Sequence, residues 1–326
     1  MGAVVDRAAG ALAGCPLGEY PLAPEPSEAA RCHLSASTIQ RWLDQAGQSA
    51  EGSLRGQWVE VATRGVVGLD GLWARLRRGV RGVVLLLVES GSGFCWPPIV
   101  VEREAAAGWQ ALLRRAEQAG LVLSAVRGVV SDGGNGIVEA LEATLDWVNH
   151  QRCVFHLWRG LAGDLAAAAE QEAAGLHGAA ATAVKRRVKR TLRPAVRAVF
   201  DAPTPEAAEA ALVPLRQLPG GEALARRLAP DLDAALVVRN PYNPGLARIT
   251  PETSWRDFRR RLSRGRNHGS AQRLERAALL WHVYHNAEPS QARCERTRSY
   301  RHPSHSPLAA AGVALEGLTY LDLLAV

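Results

Sequence analysis

The stretch AVRGVVSDGGNGIVEALEATLDWVNHQRCVFHLWRGL, residues 125–161, decides the reading of this chain. It opens with the apolar, β-branched run Val126 to Val130, the pattern of a strand covered on both faces. That strand carries Asp132 to its C-terminal end, where open α/β sheets place ligands and catalytic groups. Gly133, Gly134, Asn135 and Gly136 supply the backbone freedom of a tight turn. Ile137, Leu141 and Leu145 then recur at a spacing of four, which predicts a helix with one buried face. A second apolar strand is expected at Arg152–Phe155, with Cys153 inside it and His156 just past its end. A carboxylate on a strand-to-helix turn is an oxygen donor for a hard cation such as Mg²⁺. It is equally the ordinary cap of the helix that follows.

Working outward, three strands are expected between Trp58 and Glu102. The first, VATRGVVGLDG, ends at Asp70, and RGVVLLLVES (81–90) is a continuous buried strand. GFCWPPIVVE (93–102) returns beside it as a hairpin around Gly91 and Gly93. Trp109, Leu112, Leu113 and Ala116 mark a helix over residues 105–120. The order strand, strand, strand, helix, strand, helix, strand therefore has aspartates ending its first and fourth strands. Asp70 and Asp132 meet if those strands lie side by side.

The whole chain of 326 residues suffices for one large or two modest domains. Its 39 Lys+Arg against 32 Asp+Glu give a net charge of +7, a balance that suits a polyanionic partner. Arginine supplies most of that charge, and its guanidinium forks onto phosphate. The five scattered cysteines form no CxxC pair, which points to reduced thiols and a cytoplasmic location. The longest apolar run, Val83 to Val88, is too short to span a bilayer. Cys153 and His156 have no second pair at zinc spacing, so no structural zinc is expected from them. Cys153 is read as a buried strand thiol, and His156 as support for an acidic ligand or a phosphate.

Upstream, PLAPEP (21–26) reads as a linker. In HLSASTIQRWLDQAG (33–47), a helix capped at Ser35 or Ser37 would turn Ile39, Trp42 and Leu43 inward. Gln40 and Arg41 would then face outward, as in the second helix of a helix-turn-helix. A packing helix accounts for the same pattern. Downstream, residues 157–238 are dominated by Ala, Leu, Arg and Glu and punctuated at Pro203, Pro205, Pro214 and Pro219, which predicts several helices. Within them KRRVKRTLRPAVR (185–197) reads either as a solvated face or as a phosphate grip through Lys185, Arg186 and Arg187. The denser RDFRRRLSRGRNHGS (256–270) offers Arg256, Arg259, Arg260 and Arg261 to DNA.

GLDGLW, SDGGNGIVEAL and QRCVFHLWRGL with its C-x-x-H, in that order, resemble the DDE transposases of the Mutator-like group of bacterial insertion sequences. The tail LLWHVYHNAEPSQARCERTRSYRHPSHSPLAAAG resembles theirs as well, and the likeness covers most of residues 58–325. It implies an RNase H-like mixed sheet flanked by helices, with a large all-α insertion between the second and third catalytic acids. Four divisions follow: a DNA-binding segment at 1–57 that adds affinity but no chemistry, core at 58–156, insertion at 157–245, and core and tail at 246–326. It implies nicking of transposon ends and 3′-hydroxyl strand transfer into target DNA by a homo-oligomer, with no membrane role. Two Mg²⁺ or Mn²⁺ ions, about 3.5–4 Å apart, would be held by three carboxylates. Asp70 and Asp132 are the first two. For the third, Glu252 opens a helix after Pro251 and precedes Arg259 by two turns, the register the family shows. Glu295 and Asp257 are the competing acids. An RNase H-like nuclease or resolvase, and an inactive DNA-binding transposon remnant, are the rival functions.

Overall fold

The computed structural model describes residues 41, 44–50, 63, 65–235, 258–259, 269–287 and 306–313. Gln40, Glu252, Arg256, Asp257, Arg260, Arg261 and Glu295 lie outside them. Five strands form an open mixed sheet in the order β3-β2-β1-β4-β5. They are β1 (Val66–Arg75), β2 (Arg81–Glu89), β3 (Ile99–Val101), β4 (Gly128–Ser131) and β5 (Asn149–Arg152). The helices are α1 (Ala106–Gln118), α2 (Asn135–Thr144), α3 (Val154–Glu172), α4 (Gly178–Asp201), α5 (Pro205–Arg216), α6 (Gly221–Leu228), α7 (Leu232–Ala235), α8 (Ala271–Ala287) and α9 (Pro307–Ala310). Residues 44–50 are helical as well. The chain divides into two compact units, one of residues 1–126, 134–146 and 251–326, the other of 127–133 and 147–250.

In the first unit, β1 and β2 pair antiparallel over nine residues, from Val67 opposite Glu89 to Arg75 opposite Arg81. Val83 to Val88 are all buried, as an uninterrupted apolar run requires. Beyond Asp70, β1 does not stop. It continues through Leu72 and Ala74, whose alternation with exposed Trp73 and Arg75 extends the ladder. Asp70 therefore stands mid-strand rather than at a strand end. The returning strand is shorter than its sequence suggests, because Pro97 and Pro98 cannot donate to a ladder. Only Ile99–Val101 pair continuously with β2, and Cys95 makes an isolated bridge to Val88. Ser92 closes the turn by donating its N–H and its hydroxyl to Glu89 Oε2, at 2.5 and 2.8 Å.

Helix α1 buries Trp109, Leu112, Leu113 and Ala116, the face its periodicity marks. Leu274, Ala278 and Trp281 of α8 join Leu72, Ala74, Leu76, Val84, Leu86 and Phe258 in one apolar cluster. Arg115 of α1 pairs with Glu275 of α8 at 2.9 Å. Polar contacts also tie α8 to the loop before β3. Asn286 takes both backbone groups of Cys95, accepting from its N–H at 2.9 Å and donating to its carbonyl at 2.8 Å. His282 Nε2 donates to the same carbonyl at 2.6 Å, and His285 Nε2 to the Gly93 carbonyl at 3.0 Å.

The second unit pairs β4 and β5 in parallel and carries the helices of residues 154–235. Leu161 and Leu165 of α3, Val188, Leu192 and Val196 of α4, Leu212 and Leu215 of α5 and Leu224 and Leu228 of α6 form its core. Each such side chain contributes on the order of 1.5–3 kcal/mol when fully buried. Thr204 caps α5 by accepting from the Ala207 N–H at 3.2 Å, with Pro205 at the first helical position. Pro203 and Pro205 thus mark a true break. Pro214 does not, because it sits inside α5, as Pro194 sits inside α4.

His282 gives this packing a pH dependence. Burial pushes its pKa down to about 3; its bond to Cys95 opposes that shift and the Arg115 charge adds to it. Because the folded value lies below the unfolded one of 6.5, the unfolded chain binds the extra proton between them. Stability present above the unfolded value is therefore lost as pH falls through that window. Replacing the imidazole by a neutral amide, His282→Gln, should shrink the drop in melting temperature measured between about pH 7 and pH 5. An unchanged drop would remove His282 from the acid response.

Candidate active site

Asp70 lies in the first unit, opposite Leu86 in the β1–β2 ladder, and is 2% exposed. A carboxylate so far from water persists only with polar or charged partners. Gly71 follows because the Glu104 carboxylate occupies the space that a Cβ there would need. Alternation puts Asp70 on the sheet face of Leu72 and Ala74, and these pack in one cluster with Phe258.

Asp132 lies in the second unit, one residue past β4, as its sequence position implies. Its turn is fixed from β5. Ser131 Oγ meets His150 Nε2 at 2.7 Å and accepts the Gly133 N–H at 3.1 Å. Arg152 lies over Gly133, whose φ of +73° is natural only for glycine, and a Cβ there would strike the guanidinium stem. Arg152 is itself held by Asp231 at 3.4 Å. Burial keeps the His150 imidazole below its usual pKa, the Arg152 charge acts the same way, and the Asp132 carboxylate acts against both. At neutral pH the ring is therefore an uncharged hydrogen-bonding group beside a carboxylate.

The expected strand at Arg152–Phe155 is displaced. β5 is Asn149–Arg152, Cys153 is the residue before α3, and His156 lies in the first turn of that helix. Val154, Leu157, Trp158 and Leu161 turn toward the helical core of the second unit, so this apolar run follows helical rather than strand spacing. Cys153 is a buried thiol, though at a strand-helix junction and not within a strand. His156 is half-buried and packs edge-on against Phe155. Ser131, His150 and Arg152 are the polar groups that the displaced strand concealed. Read three residues earlier, His150 and Arg152 fall two apart on β5, on one face of the sheet.

The other sequence candidates are spread out. Arg41 is helical and exposed, Arg259 is half-buried beside Phe258, and Lys185, Arg186 and Arg187 lie on α4. Among the described residues, no three His, Cys, Asp or Glu side chains cluster as a metal site. Two aspartates are nonetheless the hard, anionic donors that Mg²⁺ or Mn²⁺ takes.

Residues 98–219 match the family model described as Transposase, Mutator family, and over that span the chain is similar to it. The match contains Asp132, its glycine turn and the Cys153–His156 pair, and it ends within the helices after α3. The family implies a DNA-cleaving and DNA-transferring enzyme of a mobile element, with DNA as its partner. No curated protein matches the chain. No described helix is long and apolar enough to cross a membrane.

Gly136 accounts for the last glycine of the SDGGNG turn. A Cβ there would lie 2.5 Å from the Glu104 carbonyl oxygen, whereas Gly160 in α3 has nothing within 4 Å among the described residues. Opposite signs follow. Gly136→Ala should destabilise by about 1–3 kcal/mol through overpacking. Gly160→Ala should stabilise by about 0.5–1 kcal/mol through lower chain entropy. Urea denaturation of both variants checks this; equal effects would show that the close approach of α2 to Glu104 carries no cost.

Proposed function

We propose that the chain is a DDE-type transposase that nicks its element's ends and transfers the freed 3′-hydroxyl to target DNA. Asp70, Asp132 and Glu252 are its three acids. The observation that carries this reading is the match to the Mutator family over residues 98–219, which contains Asp132 on its glycine turn. Asp70 supplies a second carboxylate, buried in a sheet, where water cannot compete for its oxygens. Glu252 stands six residues before Phe258, and Phe258 packs in the cluster that lies on the Asp70 face of β1.

When bound, two Mg²⁺ or Mn²⁺ ions supply Lewis-acid stabilisation of the attacking and leaving oxygens of an in-line phosphoryl transfer. The protein's part is positional. Arg152 and the Ser131–His150 hydrogen bond fix the turn that presents Asp132. The β1–β2 ladder fixes Asp70, so neither carboxylate must be ordered when substrate arrives. In this reading water supplies the attacking oxygen for nicking, and the freed 3′-hydroxyl of the DNA supplies it for strand transfer. Cys153 and His156 support the site from the start of α3.

Purified protein, DNA carrying the element's own ends, and Mg²⁺ or Mn²⁺ test the assignment. Wild-type protein should nick at the ends. Glu252→Gln should bind the ends but fall to background cleavage, because an amide is a poor substitute for a charged ligand. Glu295→Gln and Asp257→Asn should cleave normally. Cleavage by Glu252→Gln alongside a dead Glu295→Gln or Asp257→Asn would move the third acid. End-binding without nicking under either cation would make the chain a DNA-binding remnant.

A further inference from the structure

Helix α4 carries Lys185, Arg186, Arg187, Lys189, Arg190, Arg193 and Arg197 against the single acid Asp201, a net +6 from 7 − 1. The whole chain is +7, so everything outside this helix sums to only +1, from 32 cations and 31 acids. The excess basic charge of the protein is thus not diffuse. It sits on one element of 24 residues.

Within that element it is ordered further. At about 100° per residue, Arg186, Arg190, Arg193 and Arg197 fall within a sector of about 60°. All four are exposed, while Val188, Leu192, Val196 and Val199 bury the opposite side of the helix. Lys185 lies off the stripe and is engaged by Glu170 at 2.5 Å. Arg197 pairs with Asp201 at 3.1 Å in an exposed i,i+4 contact, too weak to neutralise the row. Among the described residues, Arg186, Arg190 and Arg193 make no ion pair. Like charges at this spacing repel and destabilise a helix, so the row is not explained by stability.

We infer that this arginine row of α4 is a docking surface for the sugar-phosphate backbone of duplex DNA. The inference rests on the proposed action on DNA and names a binding surface for it outside the acids. Charge complementarity commits the face to a regular polyanion. From Arg186 to Arg197 is eleven residues, about 16 Å of helix, a length over which one DNA strand presents about five phosphates. Guanidinium forks match phosphate oxygens in pairs, and an array whose one paired acid, Asp201, lies at its end reads backbone and not base sequence.

The experiment measures affinity of the full chain for a labelled duplex of arbitrary sequence, several helical turns long, across a range of salt concentrations. The quadruple variant Arg186→Gln/Arg190→Gln/Arg193→Gln/Arg197→Gln should lower the slope of log K against log salt by about 3–4 in magnitude, near 0.9 per lost phosphate contact. The matching quadruple Arg→Lys variant should keep most of the slope, since it keeps the charge. Arg216→Gln/Arg226→Gln/Arg227→Gln, which removes exposed arginines of α5 and α6, should leave it unchanged. Circular dichroism should show the same helix content throughout, because every altered residue is exposed. An unchanged slope in the Gln quadruple, or an equal loss in the α5–α6 control, overturns the surface while leaving the transposase reading intact. Stronger, row-dependent binding to structured RNA or to an acidic protein also overturns it. Wild-type protein that binds no duplex at all overturns both readings together.

Discussion

Asp70 faces Leu86 across a ladder of nine residue pairs, beside a strand whose Val83 to Val88 are wholly buried. Placing an ionisable group there carries a desolvation penalty that only partners or a bound cation can offset. The ladder makes the placement rigid. A slip of one residue would turn Asp70 to the other face and expose the set it shares with Leu72 and Ala74. The first unit is built to prevent that slip. Helix α8 packs Leu274, Ala278 and Trp281 on this face, and Asn286 and His282 lock the loop before β3 through the backbone of Cys95. A mid-strand acid in so fixed a frame has its carboxylate direction set before any ligand is present.

The second unit solves the same problem differently. Asp132 stands on a turn, and turns are the mobile parts of α/β folds unless something holds them. Here Gly133 takes a left-handed conformation under the Arg152 side chain, Ser131 Oγ bridges the Gly133 N–H to His150, and Asp231 anchors Arg152. Glycine at 133 answers a backbone angle, whereas at 71 and 136 it answers crowding by Glu104. One motif therefore uses its glycines for two separate physical reasons.

Much of this was legible in the chain. The run 83–88 could only be a strand covered on both faces, and the spacing of Trp109, Leu112, Leu113 and Ala116 gave the buried face of α1 directly. Asp132 past the end of β4 followed from an apolar run ending in glycines. Where the reading failed, local composition misled. CVF looked like a strand because it is apolar, yet it opens a helix. The polar NHQR is the strand, placed at the sheet edge where few side chains need to be apolar. GLDG looked like a strand terminus because glycine flanks the acid, although alternation continues through Arg75. Pro214 looked like a break and is helical. Glu252 rests on register and resemblance alone, because it lies outside the described residues.

Direct binding of Mn²⁺, followed by its electron paramagnetic resonance signal as protein is added, tests the central claim without relying on turnover. Wild-type protein should quench the free-ion signal. Asp70→Asn and Asp132→Asn should each weaken that quenching strongly while keeping wild-type helix content and melting behaviour. Folded variants that bind Mn²⁺ as well as the wild type would contradict the proposed role of these two carboxylates as metal ligands.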